Sequence, residues 1–164
     1  MDIHYREATA DDGETFGLLR WAMQSEGHPE QLPTDEQIAD YYATFGAYIR
    51  DGIGRRAMRG WLAEADGQTV GSAILLIWQM PPIMTEPLRK RGYISSVYVT
   101  PHARRQGIAR HLMGRLIAAA REEGIHRVIL STSDMGRPLY EGLGFTPPVR
   151  GMELTLPLSD DHAR

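Results

Sequence analysis

Cysteine is absent from the 164 residues. Its absence excludes disulfides, thiolate zinc sites, iron–sulfur clusters and cysteine nucleophiles. Asparagine is absent too, and Lys90 is the one lysine beside seventeen arginines. No long apolar run occurs. The longest, Ala73 to Trp78, has six residues, where a membrane-spanning helix needs about 20. Met1-Asp2-Ile3-His4-Tyr5-Arg6-Glu7 contains no apolar stretch of the secretory type. A soluble cytoplasmic protein, with no membrane partner, is therefore expected. Several catalytic signatures are also missing. There is no Walker A sequence, no G-x-S-x-G elbow and no H-E-x-x-H. His4, His28, His102, His111, His126 and His162 show no metal-ligand spacing, so no metal is expected.

What is present suits one globular domain spanning residues 1–164. Hydrophobic residues make up 42% and charged residues 24%, and a chain of this size buries roughly 70% of its extended surface on folding. Net charge is −3, too mild to demand a polyanion. It is unevenly spread: residues 1–60 carry 11 acids and 6 bases, residues 61–164 carry 10 acids and 12 bases. Arg55, Arg56 and Arg59 with Arg89-Lys90-Arg91 are basic clusters, but a negative chain gives no reason to expect a nucleic-acid partner. They read as a solvated rim or a second contribution to a phosphate site.

Hydrophobic periodicity orders the elements. Ile3 to Glu7 reads as a short edge strand. Asp11 or Asp12 can cap a helix through about Glu26, with Phe16, Leu19 and Met23 at helical spacing. Thr34-Asp35-Glu36-Gln37 has the form of a capping box. It opens a second helix with Ile38, Tyr41, Tyr42, Phe45 and Ile49 on one stripe, broken at Gly52-Ile53-Gly54. The segment 52–57 also matches G-x-G-x-x-A, but it follows a helix and precedes a strand, the wrong context for a dinucleotide site. Residues 60–65 and 69–79 flank Asp66-Gly67, a pair that supplies the positive φ angles of a tight hairpin. Met80 to Arg91, with three prolines, reads as a loop. Tyr93 to Thr100 reads as a strand, residues 107–123 as a helix stopped at Gly124, Arg127 to Ser131 as a strand, Arg137 to Leu143 as a short helix and Met152 to Leu156 as a last strand. The sum is an α/β (α+β) fold, a central mixed sheet flanked by helices.

The chemistry concentrates where the strand ending at Thr100 turns into the helix after Gly107. The first N–H groups of a helix lack internal partners and sit at the positive end of its dipole. Arg104, Arg105 and Arg110 surround that start, although cations in a first turn oppose the dipole. A bound phosphate or pyrophosphate would resolve the conflict.

Arg104-Arg105-Gln106-Gly107-Ile108-Ala109 resembles the (Gln/Arg)-x-x-Gly-x-(Gly/Ala) signature of the GNAT superfamily of acyl-CoA-dependent N-acyltransferases. Leu139-Tyr140-Glu141-Gly142-Leu143-Gly144-Phe145 is similar to that family's Leu-Tyr-x-x-Leu-Gly-Phe segment. The resemblance covers residues 60–157 well, while residues 1–59 match in element order alone. It implies a GNAT-like fold whose residues 60–157 bind acetyl-CoA and whose residues 1–59 lie on the acceptor side. It implies acetyl, or another short acyl group, moved from acetyl-CoA to a primary amine, on a small molecule or a peptide, by direct attack in a ternary complex. Backbone amides of Arg105, Gln106, Gly107, Ile108 and Ala109 would hold the pyrophosphate. One of the arginines near the helix start, with Arg104 among the candidates and none singled out, would meet the 3′-phosphate. Val97, Tyr98 and Val99 would pair with the pantetheine arm, and a backbone N–H near Val97 or Tyr98 would polarise the thioester. Tyr140 would be the general acid, and homodimers are common in the family.

Three positions depart from the family pattern. Ser133 stands seven residues before Tyr140, where the family often has asparagine; a hydroxyl there can still contact the cofactor. Ser95 and Ser96 stand where many members carry a strand glutamate as base. Glu26, Glu86 and His28 are the alternatives, or no side-chain base is used. Glu26, Glu30, Asp35 and Glu36 with Trp21, Tyr41 and Tyr42 form an acidic, aromatic acceptor region suited to a cationic amine. The departures also keep open a non-catalytic acyl-CoA sensor on the same fold.

Overall fold

In a computed structural model, residues 2–27, 34–86, 89–148 and Leu154 are described. The chain divides into two compact units, Met1–Ser131 and Thr132–Arg164. The expected last strand, Met152 to Leu156, lies outside the described residues apart from Leu154.

Local capping starts the first two helices. Thr9, not Asp11 or Asp12, is the cap: its side chain accepts from Asp11 N, and Asp12 returns the bond to the Thr9 backbone at 2.7 Å. A 3-10 turn over Ala10–Asp12 then leads into α1 (Gly13–Gly27). The second box forms as expected, Thr34 Oγ1 accepting from Gln37 N and Gln37 Oε1 from Thr34 N. It opens α2 (Asp35–Gly54). This helix runs through Gly52 and Gly54 rather than breaking there, and stops at Arg55. Gly52 packs so close to Met58 that a Cβ would come within 2.9 Å of its methyl. That glycine serves packing, not termination.

Five strands form one sheet in chain order: β1 (His4–Glu7), β2 (Met58–Ala65), β3 (Gln68–Gln79), β4 (Lys90–Val99) and β5 (Val128–Leu130). The first three pairings are antiparallel and β4·β5 is parallel. Asp66 and Gly67 adopt φ of 51° and 75°, the two positive angles the β2–β3 hairpin requires. The loop after β3 is shorter than expected, because β4 begins at Lys90. A long helix, α3 (Ile108–Glu122), connects β4 to β5.

Side-chain alternation divides the core between the two faces. Leu62 and Ile74 cluster with Phe16, Leu19 and Ile49 of the first two helices. Gly71 instead meets Ile108 and Leu112 of α3. The buried face of α3 comprises Ile108, Leu112, Met113, Leu116, Ala119 and Ala120, with Ile117 half-buried beside it. Gly124, at φ 69°, ends the helix. The second unit contains a short helix, α4 (Arg137–Glu141).

Candidate active site

The decisive irregularity lies in β4. Its register against β3 pairs Ser72 with Tyr98, then Ile74 with Ser95. Ala73 therefore faces two residues, Ser96 and Val97, and the strand bulges. Ser96 takes the left-handed conformation at φ 52°. The buried Ser72 hydroxyl donates to Ser96 O at 3.2 Å and holds the bulge. On the other edge, β5 pairs with β4 only through Gly92, Tyr93 and Ile94. Beyond Ile94 no strand among the described residues pairs with that edge.

The direction of the main chain past the bulge follows from one bond. Thr100 N donates to Val70 O at 2.9 Å, while Val99 sits opposite Gly71. In an antiparallel ladder this makes Val99 a non-hydrogen-bonded pair, with its own N–H and C=O turned away from β3. Alternation turns those of Val97 the same way. Tyr98 is the exception among the three expected contacts. Its main chain faces β3, and its hydroxyl donates to Glu26 Oε1 at 2.5 Å. Val97 and Val99, not Tyr98, present backbone to the open edge.

This edge leads into the turn before α3. Arg105 and Gly107 both adopt left-handed angles, 65° and 78°, which aims successive backbone groups at one side. The first bond of the helix ladder here runs from His111 N to Gly107 O at 3.0 Å, so Ile108 and Ala109 precede it. A Cβ built on Gly107 meets nothing within 4 Å, so open space lies over the turn. Arg105 and Gln106 are exposed, Ala109 is half-buried, and Ile108 anchors the helix in the core.

Arg104 is committed elsewhere. Its Nε donates to Val99 O at 2.9 Å, its Nη2 to Glu26 Oε2 at 2.5 Å, and its guanidinium lies 5.7 Å from the Tyr98 ring centroid. Burial works against the charge of Glu26, but the Tyr98 and Arg104 bonds together hold its carboxyl below the usual range. Burial, then the bond to Glu26, pushes Tyr98 up to about 12. Of the three suggested bases, Glu26 is thus an ion-pair partner. Glu86 bonds Arg91 Nη1 at 3.1 Å, and His28 lies outside the described residues. In the other basic clusters Arg59 pairs with Glu7 and Glu122, Arg55 with Asp51 and Lys90 with Glu123.

On the α1/α2 side of β4 lies a cavity of about 180 Å³. Ser95, Ser96, Ile74, Leu76, Phe45 and Tyr48 line it together with Arg20. The charged group in its lining is Arg20, which periodicity gives no reason to single out. Its Nη1 donates to Ser95 Oγ and to Ser96 Oγ, both at 3.3 Å. Neighbouring strand residues normally point to opposite faces; the bulge brings both hydroxyls to one guanidinium. The aromatic half of the expected acceptor region assembles nearby, with Trp21 edge-on to Tyr41 at 5.7 Å and Tyr41 stacked on Phe45 at 5.8 Å. Of its acidic half, Glu26 pairs with Arg104 and Glu30 lies outside the described residues. Asp35 and Glu36 are exposed in the first turn of α2.

Tyr140 and Ser133 belong to the second unit. Ser133 is exposed, and its Oγ accepts from Gly136 N at 3.3 Å. Gly136 makes room for the Tyr140 ring, since a Cβ there would lie 3.1 Å from Cε2. Tyr140 meets Phe145 edge-on at 6.1 Å, and burial raises the pKa of its phenol. Among the described residues there is no group of side chains that could hold a metal, and no helix long and apolar enough to cross a membrane.

These features define the class as an α/β protein whose mixed sheet parts between two parallel strands, joined by a helix that opens on a left-handed turn. The chain belongs to the acetyltransferase (GNAT) family, whose model matches residues 17–145. It is 39% identical over 93 residues to glucosamine 6-phosphate N-acetyltransferase of Trypanosoma brucei brucei, 57% of this chain and 61% of that protein. It is 34% identical over 89 residues to human N-acetyltransferase 8, 52% of this chain and 37% of that protein. The match thus spans less than two thirds of these relatives. Solved structures align more fully. A predicted acetyltransferase with acetyl-CoA from Clostridium acetobutylicum superposes with a TM-score of 0.79 at 27% identity, covering 94% of this chain and 96% of that one. A GCN5-related N-acetyltransferase from Ralstonia eutropha JMP134 gives 0.76 at 30% identity, with 96% and 99% covered. The expected mixed-sheet GNAT fold is the one observed.

Proposed function

We propose that residues 1–164 act as one acetyl-CoA-dependent N-acetyltransferase domain that transfers acetyl to a primary amine by direct attack in a ternary complex. The observation that carries this reading is the open edge at Val97 and at the Val99 N–H, running into the left-handed turn at Gly107. An extended pantetheine arm would add to that edge as a strand does. Its pyrophosphate would rest over Gly107 on the amides from Arg105 to Ala109. The Val97 N–H would polarise the thioester carbonyl. The amine nitrogen then attacks that carbon, the C–N bond forms, and the C–S bond breaks. The nitrogen loses a proton to water, and the departing sulfur takes its proton, or a hydrogen bond, from Tyr140. Ser133 would contact the cofactor, its own proton still available for donation.

A second reading rests on one observation: β4 offers serines at 95 and 96, while Glu26 and Glu86 are held in ion pairs. With no poised carboxylate base among the described residues, the chain could bind acyl-CoA as a sensor and turn nothing over. Release of CoA thiol across a panel of amines separates the two. Glucosamine 6-phosphate, named for the trypanosomal relative, belongs on that panel with amino acids, polyamines and peptides. Acetyl-CoA binding without thiol release from any amine would favour the sensor. Absence of acetyl-CoA binding would sink both.

A further inference from the structure

We propose that the acceptor amine carries an anionic group, a carboxylate or a phosphate, and that this group docks on Arg20 in the cavity beside Ser95 and Ser96. The inference deepens the acetyltransferase reading and rests on it for the identity of the other end of the ligand.

The argument starts from the charge. A guanidinium stays protonated throughout the accessible pH range, and its planar fork matches a carboxylate or phosphate face. Elsewhere among the described residues, part-buried arginines go to carboxylates. Arg6 pairs with Asp12 and Glu64, and Arg59 with Glu7 and Glu122. Arg20 is half-buried, yet its partners among the described residues are neutral: the Ser95 and Ser96 hydroxyls and Tyr41. A cation drawn partly out of water without a counter-ion is costly. Here it also faces a cavity of about 180 Å³. Its two serine partners accept from a single nitrogen, Nη1, and a guanidinium has five N–H donors. Each serine hydroxyl keeps a proton of its own to donate. Three donor groups, joined by the Arg20 bonds, therefore line a pocket whose remaining lining is aromatic and aliphatic.

Position completes the argument. Ser95 and Ser96 immediately precede Val97, whose backbone takes the thioester in the proposed reaction. In an extended strand residues 95 and 97 would be about 7 Å apart, and the left-handed turn at Ser96 brings them closer still. An anion anchored on Arg20 leaves the amine a few bonds away to reach the acyl carbon. That separation suits small amino acids and amino-sugar phosphates.

Matched pairs test this directly: an amino acid against its amide, and glucosamine 6-phosphate against glucosamine, each with saturating acetyl-CoA. Wild type should favour the anionic member of at least one pair about tenfold or more in kcat/KM. In Arg20→Met that ratio should fall about 10- to 100-fold, chiefly through KM, as expected for loss of a charged hydrogen bond. Arg20→Lys should restore part of it, and the acetyl-CoA dissociation constant should not move. Whichever pair responds tells carboxylate from phosphate. Equal use of anionic and neutral partners, or equal loss for both in Arg20→Met, overturns the proposal and makes Arg20 a support for the bulge. If no amine releases thiol, the catalytic reading fails, and calorimetry with CoA present decides the anion site. Binding of an anionic amine that disappears in Arg20→Met upholds it; no binding to wild type removes it.

Discussion

A departing thiolate needs a proton, and the phenol proposed to give it sits in a short helix packed on Phe145. An ordinary phenol titrates near 10 and a thiol near 8.5; burial raises Tyr140 further. The side chain is therefore protonated, and a donor, at any physiological pH. Removing the hydroxyl in Tyr140→Phe should lower kcat about 100-fold, the lower end for a general acid, with acetyl-CoA affinity by calorimetry unchanged. In wild type, any alkaline limb of kcat that Tyr140→Phe abolishes should lie above pH 10, because the shift is upward. Asp12 shows the opposite sign. The Arg6 guanidinium, donating at 2.6 and 2.8 Å, opposed by burial and aided by Thr9, lowers its carboxyl to about 2. The resulting stability is present above the unfolded value near 4 and is lost as pH falls through 2. Asp12→Asn should cost about 1–2 kcal/mol at pH 7, less than the full shift because Arg6 is partly solvated. In denaturant titrations that gap should close between pH 4 and pH 2.

The element scale shows what crosses from sequence to structure and what does not. The Thr34–Gln37 box, the Asp66-Gly67 turn and the stripe of α3 are local, set by residues within a few positions of one another, and periodicity reveals them. The bulge at Ser96 is not local. It arises from how β4 registers on β3, and serine has no intrinsic preference for positive φ. Arg20 is invisible for the same reason, since it meets Ser95 and Ser96 across 75 and 76 positions. The left-handed turn before α3 was legible through Gly107, whereas the pairing of Arg104 with Glu26, 78 positions away, was not. The same non-local logic governs the crossing of α1 and α2. A Cβ on Gly13 would lie 2.6 Å from Gly46 O, a backbone atom that cannot swing aside. Gly13→Ala should force the helices apart, destabilising the fold by about 1–3 kcal/mol. Because Arg20 and Phe45 ride on those helices, acceptor KM should rise while acetyl-CoA affinity holds. A purely global effect would shift stability and leave acceptor KM in place.

At the scale of the whole molecule, a ligand that binds the folded chain alone must raise its stability. At a hundred times its dissociation constant, acetyl-CoA should add about 2.7 kcal/mol. For a chain of this length that is roughly 5–10 °C in Tm. Gly107 and Gly124 turn the increment into a test of where the ligand sits. They bracket α3, adopt φ of 78° and 69°, and each has nothing within 4 Å of a built Cβ. Replacing either with valine imposes a similar left-handed strain, about 1–2 kcal/mol, so both variants should melt a few degrees lower without ligand. They should differ once acetyl-CoA is added. Gly124→Val should keep the full increment, because its open space lies at the far end of the helix. Gly107→Val should lose it, because there the new side chain fills the space over the turn where the pyrophosphate would rest. Scanning calorimetry with and without acetyl-CoA reads all four quantities. An increment retained in Gly107→Val would move the phosphates off the start of α3, leaving the arginines at that turn without the anion that would justify their opposition to the helix dipole.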